Sequence, residues 1–266
     1  MRHPWRTAAP AILMAAWGGN HFSPLLLLYR RVDGYSAVEV NLFFAFYVLG
    51  LIPGFLLTGR FADRHGRRIL VAAALVLGVA GSVVLATFDA SVLGMCLGRL
   101  VCGLSVAVAM VAGTSWIKEL SQHDADPSAR ARRASLTLTA GFGLGPGVSG
   151  ALAQWGPHPT VLPYAVHIAL SAAAAIPLFR TPDTRPPDTR SPDAASRPVL
   201  PRIPPAGRRR FLGVVLPMAP WVFGAPALAF VVAPALVASR TGTHAIAFAT
   251  LLAVIALLTG AGVQPA

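Results

Sequence analysis

Hydrophobic positions in this chain fall into eight long runs, with neither the narrow stripe of a surface helix nor the alternation of a half-buried strand. The runs are Ala11–Tyr29, Val38–Thr58, Ile69–Phe88, Val92–Trp116, Leu136–Trp155, Val161–Phe179, Phe211–Val237 and Ala245–Val263. A helix of ~20 apolar residues is long enough to cross a ~30 Å hydrocarbon core. Continuous apolarity without period-two alternation predicts helices rather than barrel strands. Short polar breaks such as Asp89–Ser91 and Gly156–Thr160 separate neighbouring runs, and one long polar stretch, Arg180–Arg210, follows the sixth. The pattern predicts an all-α polytopic membrane protein.

Composition supports that solvent. Only 12% of residues are charged and 55% are hydrophobic, with a mean hydropathy of +0.63, whereas a soluble domain carries about 25% charged residues. The net charge of +12 raises the question of a nucleic-acid partner, and its placement excludes one. Arg2 and Arg6 precede the first run, and Arg60, Arg64, Arg67 and Arg68 lie between the second and third. Lys118, Arg130, Arg132 and Arg133 lie between the fourth and fifth, and eight arginines lie in Arg180–Arg210. All of these connections fall on one side of the membrane, while only Arg30, Arg31 and Arg240 fall on the other. By the positive-inside rule the amino terminus is cytoplasmic and the protein sits in the cell membrane as a multi-pass chain. The first run is read as an uncleaved helix: "GGNH" interrupts it, "YRR" ends it, and no small-x-small cleavage site follows. Cys96 and Cys102 share one helix and read as small packing residues. No nucleotide loop, zinc-hydrolase helix or nucleophile elbow is present, so an enzyme, a metal site or a cofactor is not expected.

Four polar islands remain. Between the second and third runs, "GRFADRHGRR" sets Asp63 among four arginines, with Gly59 placed to end one helix and Gly66 to make the turn. In the first run, "WGGNHFSP" puts Asn20 and His21 beside two glycines and a proline, a composition that interrupts a helix and exposes carbonyls near mid-membrane. Arg99 is the one basic residue deep in a span and needs acceptors there. In the fifth run, "GFGLGPGVSG" forms stripes of small residues at four-residue spacing (Gly141, Gly145 and Ser149; Gly143, Gly147 and Ala151) around Pro146, suited to close helix approach and a kink. No acidic residue lies deep in a span.

These islands resemble the motifs of the major facilitator superfamily. Gly59, Asp63, Arg64, Gly66, Arg67 and Arg68 match its G-x-x-x-D-R-x-G-R-[RK] loop between helices 2 and 3. Gly141, Gly145, Pro146, Gly147 and Gly150 are similar to its antiporter motif, with Ser149 replacing a glycine, and Arg99-x-x-x-Gly103 is similar to its fourth-helix motif. The resemblance implies a drug- or metabolite-exporter-like transporter working by alternating access, with the Asp63 loop as a cytoplasmic gate. Asn20, His21 and Arg99 would then serve the cavity and coupling, with a small molecule, protons and the lipid bilayer as partners. The missing embedded carboxylate leaves proton coupling to His21 or to the missing second half. The organisation expected is a six-helix bundle over 1–180, a disordered Pro/Asp/Arg cytoplasmic linker over 181–210 and the first two helices of a second bundle over 211–266. A twelve-helix frame would lack its last four helices here, so the alternative expectation is a truncated fragment without transport of its own.

Overall fold

The computed structural model describes residues 3–122, 126–184 and 204–263. Within them the protein is helical throughout, with no strand. We number the helical paths α1 (Trp5–Val32), α2 (Ala37–His65), α3 (Arg67–Thr87), α4 (Val92–Leu120), α5 (Pro127–Trp155), α6 (Leu162–Phe179), α7 (205–241) and α8 (Ala245–Val263). Seven of these, all but α7, contain a helix long and apolar enough to cross a membrane. The predicted seventh span, Phe211–Val237, is instead a succession of α turns interrupted by π turns at Phe211–Val215 and Leu228–Val232. It begins at Pro205, six residues earlier than the apolar run, because the basic turn Pro205–Arg210 is itself helical. Most of the predicted 181–210 linker lies outside the described residues.

Local chemistry explains the boundaries. Ser36 and Glu39 form a capping box at the start of α2, with Ser36 N–H donating to Glu39 Oε2 at 2.8 Å and Glu39 N–H donating to Ser36 Oγ at 3.3 Å. Asp126 accepts from the Ser128 amide at 2.8 Å, and Pro127 opens α5 at the position where its missing N–H costs nothing. The polar end of α2 is a correction to the sequence reading. Gly59 does not end the helix: α2 runs on to His65, and only Gly66, at φ 93°, breaks it. A single glycine inside a helix costs about 1 kcal/mol and does not stop it, whereas a positive φ does.

α1 is the most buried path and packs against α3, α4, α5 and α6. α2 and α3 both pack on α4, and α5 packs on α1 with one face and on α8 with another. Backbones come close wherever a glycine permits it. A Cβ at Gly50 would stand 2.0 Å from the Leu100 carbonyl, and one at Gly103 2.1 Å from the Tyr47 carbonyl. α4 is not uniform either, since Ala109–Gly113 forms a π turn in its second half.

Candidate functional site

The chemistry gathers at two levels of the bundle. At mid-depth, α1 breaks where its sequence says it should. The first helical segment ends at Asn20, and a 3₁₀ turn, Ser23–Leu25, precedes the second segment Leu26–Val32. Pro24 has no N–H to give the Asn20 carbonyl, so the α pattern cannot continue through it. Arg99 meets this break. Its Nη1 donates to the Gly19 carbonyl at 3.1 Å, and its guanidinium lies 4.6 Å from the Phe22 ring centre and 4.3 Å from that of Tyr47. The side chain is 2% exposed. No carboxylate faces it among the described residues, so its charge is held by a carbonyl and two π faces. Gly103 serves this arrangement indirectly, letting α2 come close enough for the Tyr47 ring to cover the guanidinium. Asn20 is half-buried, and the carbonyl of its neighbour Gly19, not its own amide, is what Arg99 Nη1 engages.

His21 points into the bundle and is fully buried. Its Nδ1 donates to the Trp17 carbonyl at 3.3 Å, which leaves Nε2 as an acceptor without a partner among the described residues. Its ring stacks on His167 of α6 at 5.1 Å and meets the edge of Tyr164 at 4.9 Å. His167 Nε2 donates to the Met14 carbonyl at 3.0 Å, so Nδ1 accepts from the Ser82 hydroxyl at 2.8 Å. These partners assign His167 as the neutral Nε2–H tautomer. The Tyr164 hydroxyl is in turn hydrogen-bonded to that of Tyr29 at 2.8 Å. Sequence reasoning found His21 and missed His167, Ser82 and Tyr164. The available signal was a lone imidazole in the middle of the apolar α6, "LPYAVHIAL".

At the end of the bundle that holds the α2–α3 turn, the Asp63 motif forms a clamp. Arg67 Nη1 pairs with Asp63 Oδ1 at 2.9 Å, one helical turn away across Gly66, and Arg67 Nε pairs with Glu119 Oε1 at 3.2 Å. Thr184 also donates to Glu119. Asp183, just beyond α6, reaches the same turn, and its Oδ1 accepts from the Arg68 amide at 2.9 Å. Gly66 precedes α3 and has no side chain to cap it, so Asp183 caps α3 from another part of the chain. A Cβ on Gly66 would lie 2.1 Å from Asp183 Oδ2, so the glycine provides both the φ and the space. Trp116 Nε1 donates to the Pro182 carbonyl at 3.3 Å and holds the strap 181–184 against α4. Arg64 is exposed, outside this network. Glu119 and Asp183 were invisible as partners in the sequence, being 52 and 115 residues from the arginines they meet.

The α5 motif separates into two faces. Gly141 and Gly145 take the α1 backbone, where a Cβ would lie 2.3 Å from the Leu13 carbonyl and 2.7 Å from that of Trp17. Gly147 and Gly150 face Val254 and Thr250 of α8, while Gly143 faces open space, so the α8-facing pair is not the predicted stripe of Gly143, Gly147 and Ala151. Pro146 lies inside the helix between them. At the opposite membrane face, Tyr35 donates to the Asp89 carbonyl at 2.5 Å, and burial pushes its phenol up to about 12. Burial first, and the nearby Asp89 second, hold the Asp33 carboxyl above its ordinary value.

A broken, deeply buried first helix, a caged arginine on the fourth and a charged clamp below the second define a polytopic helical protein of the transporter type of frame. A family model described as Major Facilitator Superfamily matches residues 8–266, and the chain belongs to this superfamily. The glucose transporter HT1 of Trypanosoma vivax is 30% identical over 89 residues, which is 33% of this chain and 16% of that protein. The in meso crystal structure of the POT family transporter PepTSo has the same fold, with a TM-score of 0.54 at 18% identity, over 99% of this chain and 53% of that one. The chain thus spans about half the length of the solved transporter it matches and less of the curated relative.

Proposed function

We propose that this protein moves a small organic solute across the cell membrane by alternating access, in the export direction, with protons as the coupling ion and its amino terminus in the cytoplasm. The observation that carries the reading is the bond from Arg99 to the Gly19 carbonyl at the break in α1. It ties a buried charge to the place where the most buried helix leaves the α pattern, so movement of a substrate or proton at that break is felt by the guanidinium, and the reverse. His21, with its unpartnered Nε2, is the proton acceptor in this reading. The Asp63–Arg67–Glu119 clamp is the gate, closed while its pairs are intact. The α5 glycines support export by resemblance and by the close seat they give α1 and α8. The domain division that goes with this reading is a six-helix bundle over 1–180 and a second helical unit over 211–266. The sugar and POT-family relatives agree with a small-molecule substrate.

Flux in proteoliposomes, measured against a compound panel with and without an imposed pH gradient, tests the proposal. Wild-type protein is expected to move at least one compound faster with a pH gradient, while Arg99→Ala lowers the rate by about tenfold or more, the loss expected of a buried charge–dipole contact, and Asp63→Asn, which opens a half-exposed ion pair, lowers it by a smaller factor. Wild-type rates in both variants would overturn the mechanism, and the absence of flux from wild type would favour a chain without transport of its own.

A further inference from the structure

Arg30 and Arg31 end α1 on the side of the bundle opposite the Asp63 clamp, where the sequence places only one other arginine or lysine, Arg240. One of the pair has a structural task. Arg31 Nη2 donates to the Gly242 carbonyl at 2.7 Å and ties α1 to the turn between α7 and α8. Arg30 makes no hydrogen bond or ion pair among the described residues. Asp33, three residues on, does not pair with it, and Glu39 is taken up by Ser36. Arg30 lines instead a cavity of about 180 Å³ where α1, α2 and α7 meet. Leu26, Leu27, Val40 and Phe230 are its buried lining, while Arg30 and Asn41 are exposed and are its two polar residues. Leu26 and Arg30 share a face of α1 at four-residue spacing, which puts an apolar surface and a charge side by side. α7 supplies Phe230 from the π turn Leu228–Val232, and π turns interrupt helices frequently at functional sites.

Size and charge select the occupant. An apolar cavity of about 150 Å³ holds one benzene molecule, whereas drug-sized ligands occupy about 300–1,000 Å³. The space here therefore suits an apolar body of about one ring, and Phe230 offers it an aromatic wall. Beside it, the guanidinium presents paired N–H donors that fit a carboxylate, and the Asn41 amide adds a further donor. We infer that this cavity binds a small aryl carboxylate, with its ring among Leu26, Val40 and Phe230 and its carboxylate at Arg30. A neutral ring would leave the guanidinium without a partner, and an inorganic anion would leave the apolar lining unused. A lipid acyl chain that crosses a leaflet has far more carbons than one ring, and the space does not hold it. Such binding depends neither on the direction of transport nor on its coupling, so it can fail while transport stands, and the reverse.

Equilibrium dialysis of the full chain in dodecyl maltoside, with empty micelles as the blank, reads this binding directly. Labelled benzoate is expected to bind about tenfold more tightly than benzamide, the same ring without the charge, and more tightly than acetate, the same charge without the ring. Arg30→Gln should weaken benzoate about tenfold and leave benzamide unchanged. Ala235→Phe, a substitution in the lining that fills the space, should weaken both while Arg30 stays in place. Both positions are exposed, so neither variant disturbs buried packing. Equal binding of benzoate and benzamide, or of benzoate and acetate, overturns the assignment. Retention of benzoate no higher than in empty micelles does the same. So does an equal loss in Arg240→Gln, which would mark attraction to a basic surface rather than to this cavity. Displacement of benzoate by an equal concentration of phosphatidylglycerol would also overturn it, by showing a lipid headgroup site.

Discussion

Arg99 and Asp33 represent two ways in which a charge can be held in an apolar molecule. Arg99 keeps its charge by giving a hydrogen bond to the Gly19 carbonyl and lying against two aromatic faces. Asp33, just past the end of α1, has a carboxylate oxygen shielded from solvent with no partner among the described residues, and Asp89 close enough to oppose its ionisation. Both effects raise its folded-state value above the ordinary 3.8. The linkage sign follows. A raised carboxyl binds more protons folded than unfolded, so stability falls as pH rises from the unfolded value through the folded one. Asp33→Asn removes the cost of the charged form. Its thermal midpoint should exceed that of wild type at neutral pH, with the difference closing as pH falls below about 4. A difference independent of pH between 3 and 8 would show that Asp33 ionisation has no part in stability.

At the scale of the helix, the same substitution should have opposite effects at two glycines. Gly103→Ala places a methyl against the Tyr47 carbonyl, a backbone group that can yield only if α2 moves off α4. Overpacking of this kind costs about 1–3 kcal/mol, and it should withdraw the Tyr47 ring from Arg99. Gly59→Ala meets nothing within 4 Å on a helix that continues past it, and should stabilise by up to ~1 kcal/mol through helix propensity. Thermal unfolding of the two variants in detergent checks the signs, and a stabilised Gly103→Ala would refute the packing account. Much at this scale was legible in the sequence. Apolar run length located the spans, and Gly18, Gly19 and Pro24 announced the break in α1. The end of α2 was misread because Gly59 looks like a helix stop when the carboxylate facing Gly66 cannot be seen. The π turns of α4 and α7 leave no compositional trace, since "AMVAG" and "LAFVV" are as apolar as the α turns around them.

The whole bundle is where local patterns stop being informative. The arginines of the α2–α3 turn could be counted and assigned a side of the membrane. Which acids they meet depends on how α4 and the strap after α6 converge beneath that turn, and no spacing rule contains that. Asp183 illustrates the point, because in sequence it is one aspartate of a repetitive Pro/Asp/Arg tract, whereas in the fold it caps α3. Asp183→Asn should therefore loosen the start of α3. Hydrogen–deuterium exchange of the peptide around Arg68 should quicken about fivefold, the ~1 kcal/mol of a lost helix cap, while peptides from α6 above it stay unchanged. Unaltered exchange at Arg68 would mean that the strap lies against the turn without holding it.

The π turn at Ala109–Gly113 has a consequence that concerns phase. It adds about one residue to its turn of α4, and one residue is about 100° of rotation around the axis. Arg99 lies before it and Glu119 after it, so the extra residue sets the angle between the face that meets α1 at mid-depth and the face that meets Arg67 at the end of the bundle. A regular α4 carrying the same side chains could satisfy one of these contacts and would swing the other toward a different neighbour. The two levels of the molecule are therefore kept in register by a fault in a helix, and any rearrangement that drove that fault along α4 would turn one level against the other without breaking the helix between them.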